Sequence, residues 1–308
     1  MIADRFAARS PRLMGVLFAI GAYFMFSWQD AAVKWLATSY AVPQLLFMRS
    51  ITIVVLCLAI GRRPLLTQAI ASRRKRALLF RGLVILAAWL CYYSASRRLQ
   101  LAEMVTIYFA APLIITVLSV FLLHEHVRWQ RWAGTLLGFA GVIVACAPGG
   151  GVGLSWPVLL VLLAALLWGY SNILVRQISQ SETTIVQMLF SNGVYVAASA
   201  LSLPWVWETP GWTAVLLMTG VGLAGAAGQY LLFEGFRLAA ASLIAPFEYS
   251  SLIWAFILSY LVWGDIPRPG VFLGAGLIAV SGLLIVLGEW WTDRAMAGQL
   301  SARSSQGK

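Results

Sequence analysis

Charge is what this sequence is short of. Only 11% of its 308 residues are Asp, Glu, Lys or Arg, and 11 acidic residues stand against 22 basic ones. Soluble domains carry roughly a quarter charged residues, so this composition excludes a water-soluble fold. Histidine occurs twice and cysteine three times. Cys57, Cys91 and Cys146 form no CxxC pair, which argues against a disulfide framework and a zinc cluster and leaves three buried free thiols as the expectation. The "HEH" at 124–126 alternates its residues instead of spacing them i, i+4 as helical zinc ligands do, and reads as a loop. No Lys-Ser/Thr follows the glycines of "APGGGVGLS" at 147–155, so that stretch is not a phosphate cradle. Neither a metal nor a cofactor is expected.

In place of charge there is hydrocarbon: 61% of the residues are hydrophobic, with a mean hydropathy of +0.84. A bilayer core about 30 Å thick needs roughly 20 apolar helical residues. Ten such stretches occur, near 13–36, 43–61, 77–96, 102–123, 131–147, 156–176, 185–203, 213–236, 243–263 and 269–288. The first outlasts the 7–15-residue core of a secretory signal and is expected to remain as a helix.

The net charge of +11 suggests nucleic acid until its distribution is considered. Lys and Arg gather in cytoplasmic loops. Placing the N-terminus inside puts Arg5, Arg9, Arg12, the run from Arg62 to Arg81, Arg128, Arg131, Arg176, Arg237, Arg294, Arg303 and Lys308 on the cytoplasmic side. Arg97, Arg98 and Arg268 remain outside, and Lys34 and Arg49 fall within spans. Both termini are therefore expected to be cytoplasmic in the inner membrane, with "SRRKR" at 72–76 against anionic headgroups and no nucleic-acid partner. Most tryptophans, among them Trp35, Trp129, Trp156, Trp212, Trp290 and Trp291, sit at span ends, as interfacial rings do; Trp28, Trp89, Trp168 and Trp254 lie inside.

The chain repeats itself. Glu125 and Asp265 each precede a glycine by nine positions, Gly134 and Gly274, at an offset of 140, and a small residue follows seven later, Gly141 or Ser281. "FSWQDAAVK" at 26–34 matches "WGYSNILVR" at 168–176 at an offset of 142, pairing Asp30 with Asn172 and Lys34 with Arg176. Because each copy holds five spans, the two must enter the membrane in opposite orientations, the inverted-repeat design of secondary transporters. The expected organisation is a tail at 1–12, a first repeat at 13–147, a linker at 148–155, a second repeat at 156–288 and a tail at 289–308. The expected fold class is an all-α integral membrane protein of ten transmembrane helices in two inverted five-helix repeats around a central cavity.

The acid-x8-Gly-x6-Gly pattern, its second copy at Asp265 and Gly274, "WGYSN" at 168–172 and Arg49 resemble the EamA-type drug/metabolite transporter superfamily over nearly all of 13–288. The chain departs from that pattern at Ser281, where a glycine is expected, and at "FSWQD", where the usual Trp-Gly is lost. The resemblance implies export, less often import, of small organic metabolites such as amino acids.

An ionised side chain near mid-bilayer costs at least about 3 kcal/mol and persists beside a partner, a cavity or water. Glu248, two residues after Pro246, therefore points inward in this reading, where it suits reversible protonation or substrate contact. Asp30 with Lys34 one turn later reads as an intrahelical ion pair, with Arg49 as an alternative partner, and the three resemble a gate. Trp89, Tyr92 or Tyr93, Tyr108, Trp168, Asn172, Gln229, Ser251 and Trp254 complete an aromatic cavity with a few polar groups, suited to a small zwitterion or amphipathic metabolite. A cluster of embedded arginines, as a phosphate ligand would require, is not evident. The function expected is secondary transport of amino acids, aromatic or otherwise apolar ones foremost, as an exporter. An integral-membrane enzyme acting on a lipid or prenyl substrate and a passive channel are the alternatives. The expected partners are the substrate and membrane lipids, with a homo-oligomer left open.

Overall fold

A computed structural model describes residues 11–125, 127–147, 152–282 and 284. Much of the expected linker, His126, most of both expected tails, and Trp290, Trp291, Arg294, Arg303 and Lys308 lie outside the described residues. Among those described, seven helices are long and apolar enough to cross a membrane. Shorter apolar helices at Trp132–Cys146, Ser250–Trp263 and Pro269–Gly282 account for the remaining spans. Among the described residues, these seven and three together match the ten apolar stretches of the sequence.

The first repeat comprises α1 (Pro11–Leu36), α2 (Val42–Ala71), α3 (Lys75–Ala95), α4 (Leu101–Tyr108), α5 (Ala110–Leu123) and α6 (Trp129–Cys146). The second comprises α7 (Trp156–Ile178), α8 (Thr184–Val206), α9 (Trp212–Leu238), the short α10 (Ala241–Ile244), a 3-10 turn at Ala245–Tyr249, α11 (Ser250–Trp263) and α12 (Pro269–Gly282). Three spans differ from expectation, the second, the fourth and the ninth. The second was expected to end near 61, yet α2 changes direction at Arg62 (φ 46°, ψ −147°) and runs on to Ala71. Pro64 contributes no N–H to the turn before it, so the helix bends where the first arginines meet the interface.

The fourth span of each repeat is interrupted at matching places. Pro112 cannot bond to the carbonyl of Tyr108, and the helix breaks at Phe109 (φ −67°, ψ 5°) into α4 and α5. At the offset of 140, Tyr108 corresponds to Glu248, which sits in the 3-10 turn opened by Pro246. Interrupted helices at corresponding positions of inverted repeats mark the site in transporters of this architecture.

The repeats pack as a pseudo-two-fold pair. α1 lies on α9 and, reciprocally, α3 on α7, while α2 faces its mate α8. α6 and α12 cross through the glycines that the sequence singles out: a Cβ on Gly141 would stand 2.5 Å from the Gly274 carbonyl oxygen, and one on Gly274 would press as closely on the Gly141 oxygen. Seven residues along, the Ser281 hydroxyl donates to the Gly134 carbonyl at 2.5 Å. Serine is tolerated where a glycine is usual because it bonds the backbone it approaches. Even the loop entries correspond, with His124 (φ 53°) matching Gly264 (φ 67°). Exposed Leu17, Leu58, Leu83, Leu163, Leu217 and Leu273 face outward, as a lipid-facing surface requires, and Trp35, Trp129, Trp156, Trp205 and Trp212 are exposed at helix ends.

Candidate substrate cavity

A cavity lies at the pseudo-two-fold, where the two repeats meet. Its walls are aromatic, and the rings form one continuous arc. Trp89 meets Tyr93 at 5.3 Å between centroids, Tyr93 meets Tyr92 at 5.4 Å, and Tyr92 meets Tyr108 at 5.2 Å. Tyr108 then meets Trp168 at 6.4 Å, Trp168 meets Phe26 at 6.1 Å, and Phe26 meets Tyr23 at 6.3 Å, mostly edge to face, the arrangement ring quadrupoles favour. Phe26 and Trp168 are repeat mates at the offset of 142, so they touch across the axis itself.

Two carboxyl groups reach this arc. Asp30 accepts hydrogen bonds from Tyr93 (3.0 Å) and Tyr92 (3.3 Å). The Tyr93 hydroxyl also accepts from the Gln29 amide at 3.0 Å, and the Gln29 carbonyl accepts from Arg49 Nε at 2.9 Å. Asp30 and Arg49 are thereby joined through Gln29 and Tyr93 without touching. The Arg49 guanidinium stacks 3.8 Å over the Trp89 ring, and Gly225 of α9 makes room for it, since a Cβ there would stand 2.9 Å from Nε. Glu248 comes from the 3-10 turn of the second repeat and is 2% exposed. Trp168 turns its Nε1–H toward the Glu248 carboxyl and Tyr23 lies within its electrostatic reach, but none of Glu248 Oε2, Trp168 Nε1 and the Tyr23 hydroxyl has a partner at full hydrogen-bonding distance. Buried polar atoms are ordinarily satisfied, and of those that are not, these three belong to the cavity lining and are free to meet a ligand.

Of the residues the sequence singled out, Asp30, Trp89, Tyr92, Tyr93, Tyr108, Trp168, Glu248 and Ser251 line the cavity. The Ser251 hydroxyl donates to the Glu248 carbonyl at 2.7 Å and so steadies the interrupted turn. Asn172, Gln229 and Trp254 stand elsewhere. Asn172 is 1% exposed and packed away from the cavity. Gln229 accepts from Asn192 at 2.9 Å. Trp254 packs edge-on against Phe24, 4.7 Å between centroids, on the flank of α1. Sequence reasoning missed Tyr23, Phe26 and Gln29, although Tyr23, Phe26 and Asp30 share one face of α1 at i, i+3 and i+7.

Lys34 does not pair with Asp30. Its ammonium donates to the carbonyls of Leu99 (2.8 Å) and Ser96 (3.2 Å) just past the end of α3, and lies 5.4 Å from the Trp263 ring. Its repeat mate does the same: Arg176 donates to Phe236 (2.7 Å) and Arg237 (3.3 Å) at the end of α9. Each cation completes the C-terminus of the third helix of a repeat, where carbonyls lack helical donors. Lys34→Met should therefore lower thermal stability by about 1–3 kcal/mol, the cost of unsatisfied polar groups, and leave ligand affinity alone. Wild-type unfolding of that variant in detergent would contradict the assignment. Arg81, assigned to the cytoplasmic loops from sequence, is 2% exposed. Its Nη1 donates to Ser191 at 2.7 Å and its guanidinium lies 4.5 Å from the Phe233 ring. Two arginines are thus embedded, and neither lines the cavity. Among the described residues, no group of three His, Cys, Asp or Glu could hold a metal ion.

The sequence pattern of the EamA-like transporter family matches residues 13–146 and again 155–287. The chain belongs to the EamA-like transporter family. Among its relatives is an S-adenosylmethionine uptake transporter of Rickettsia bellii, 28% identical over 59% of this chain and 62% of that protein. The match with this and the other Rickettsia S-adenosylmethionine transporters spans about six-tenths of their length. The riboflavin transporter of Vibrio cholerae is 25% identical over 92% of this chain and 95% of its own. That of Rhizobium johnstonii is 30% identical over 63% and 65%. A solved crystal structure shares the fold at a TM-score of 0.67 with 22% identity, covering 89% of this EamA-like chain and 96% of the other.

Proposed function

We propose that this EamA-like protein is a secondary transporter that moves small organic metabolites across the inner membrane through the aromatic cavity. Amino acids and other amine-bearing metabolites with an apolar or flat body are the substrates, and export is the direction. The observation that carries this reading is the cavity's position: it lies where the fourth span of both inverted repeats is interrupted, walled by stacked rings and holding Asp30 and Glu248. Uptake is the second reading, favoured by the name of the Rickettsia relatives. The flat ring systems of adenosyl compounds and flavins would suit the same aromatic walls.

The test is counterflow in proteoliposomes over a panel of amino acids, amines, nucleosides and flavins. At least one metabolite should exchange, and Trp168→Ala or Tyr92→Ala should lower that exchange while the protein stays monodisperse. Absence of exchange for the whole panel would count against transport, and unchanged exchange in both variants would return the two rings to packing. The proposed orientation has both termini in the cytoplasm, supported by the cluster from Arg73 to Arg76 on one face. Cysteines at Arg74 and Ser181 should then react only with reagent on the cytoplasmic side, and one at Thr209 only with external reagent; the opposite pattern would invert the molecule.

A further inference from the structure

The charge of the cavity is one-sided. Its lining includes two carboxyl groups, Asp30 and Glu248, and no Lys, Arg or His. The embedded cations nearby lie outside the lining: Arg49 stands behind it, bonding Gln29 through Nε and stacking on Trp89 with Nη1 and Nη2 buried and unpartnered, while Arg81 bonds Ser191 and Lys34 bonds the carbonyls past α3. The hydroxyls of Tyr92 and Tyr93 are both given to Asp30. Uncommitted donors remain at Tyr23, Tyr108 and Trp168 Nε1, but all three stand beside Glu248, so a ligand carboxylate held by them would compete with Glu248 for the same donors. A positive centre in the same place would meet Glu248 Oε2 and the rings of Tyr23, Phe26, Tyr108 and Trp168, with attraction from each. Bringing an unpaired charge out of water is costly unless the site supplies its opposite, and this site supplies only the opposite of a cation.

We propose that the cavity is selective for ligands of net positive charge: organic cations carrying an ammonium or sulfonium centre on an aromatic or apolar body, taken in preference to the zwitterion and the anion of the same body. This rests on the reading of the cavity as the substrate site. It removes the apolar zwitterionic amino acids from the proposed substrates and keeps the amine-bearing metabolites without a free carboxylate, or with more positive than negative groups. The positive centre sits at Glu248, and the body lies along the ring arc toward Tyr92.

Three molecules with one skeleton decide the matter: phenethylamine (cation), phenylalanine (zwitterion) and 3-phenylpropanoate (anion). Their binding to the full-length purified protein at pH 7 can be followed by tryptophan fluorescence and calorimetry, with 2-phenylethanol as the neutral reference. Phenethylamine should bind about tenfold or more tightly than 2-phenylethanol and phenylalanine, as charge-assisted contacts imply, and 3-phenylpropanoate most weakly. In Glu248→Gln the preference for phenethylamine over 2-phenylethanol should fall to about threefold or less. The proposal is overturned if phenylalanine or 3-phenylpropanoate binds as tightly as phenethylamine, or if phenethylamine does not bind. Because the ligand comparison is made in the wild-type protein, it does not depend on the variant folding. Charge-ordered binding without counterflow of any metabolite would remove the transport reading and keep this one. Counterflow of zwitterions and anions with no preference for cations would do the reverse.

Discussion

Gly274→Ala is expected to destabilise the protein by about 1–3 kcal/mol, the usual cost of overpacking a tight contact. Gly276→Ala, two residues further along α12, should raise stability by about 0.5–1 kcal/mol through helix propensity alone. The added methyl is the same in each. At Gly274 it would press on the backbone oxygen of Gly141, which is fixed in a helix and cannot swing aside as a side-chain tip could. At Gly276 nothing stands within 4 Å. Separating α6 from α12 to admit the methyl would also strain the bond from Ser281 to Gly134, the symmetry mate of the same contact. Small residues of this kind are how membrane helices approach closely where no hydrophobic effect drives them together. Thermal unfolding followed by size-exclusion elution reads both variants, and equal stability in the two would refute the crossing.

The second large effect is expected at Glu248. Glutamine keeps the shape and the hydrogen-bonding atoms while fixing the neutral state. Glu248 Oε2 is buried without a partner and stands among aromatic faces, so on the proposed reading it contacts the substrate's positive centre. Affinity should then fall by about 1.5–3 kcal/mol, the worth of a hydrogen bond to a charged group, with or without a pH gradient. Retained affinity together with lost acceleration by a gradient would make Glu248 a proton carrier instead. Wild-type affinity, flux and pH dependence would make it inert.

The spans, the repeat and its crossing glycines were legible in the sequence because each depends on local pattern: runs of apolar residues, and small residues at fixed offsets. Which face of a span looks inward was less legible. A helix that is apolar all round gives no signal separating the lipid side from the core side. Trp168 and Trp254 illustrate this, since both read as tryptophans inside spans, yet one closes the ring arc and the other packs on Phe24. Gln229 occupies the repeat position of Trp89 at the offset of 140 but is bonded to Asn192 away from the cavity. Lys34 was misread for a different reason. Spacing along one helix pairs it with Asp30, whereas the carbonyls that hold it, at Ser96 and Leu99, are more than sixty residues away in the chain.

The pseudo-two-fold also reveals an asymmetry. Leu101, Val105, Tyr92 and Tyr93 line the cavity. Their mates at the offset of 140, Ala241, Ala245, Leu232 and Phe233, share one buried hydrophobic cluster and are outside the lining. A carrier built from inverted repeats moves its substrate when the halves exchange these arrangements. The most direct test is the alkylation of Val105→Cys and of Ala245→Cys, each in a background with Cys57, Cys91 and Cys146 replaced, by an impermeant reagent applied from either face. Val105→Cys should react from the face bearing the start of α4, with Ala245→Cys protected; under saturating transported metabolite, Ala245→Cys should become reactive from the opposite face as Val105→Cys slows. Reaction of both from the same face, or protection of Ala245→Cys during sustained counterflow, would contradict the account.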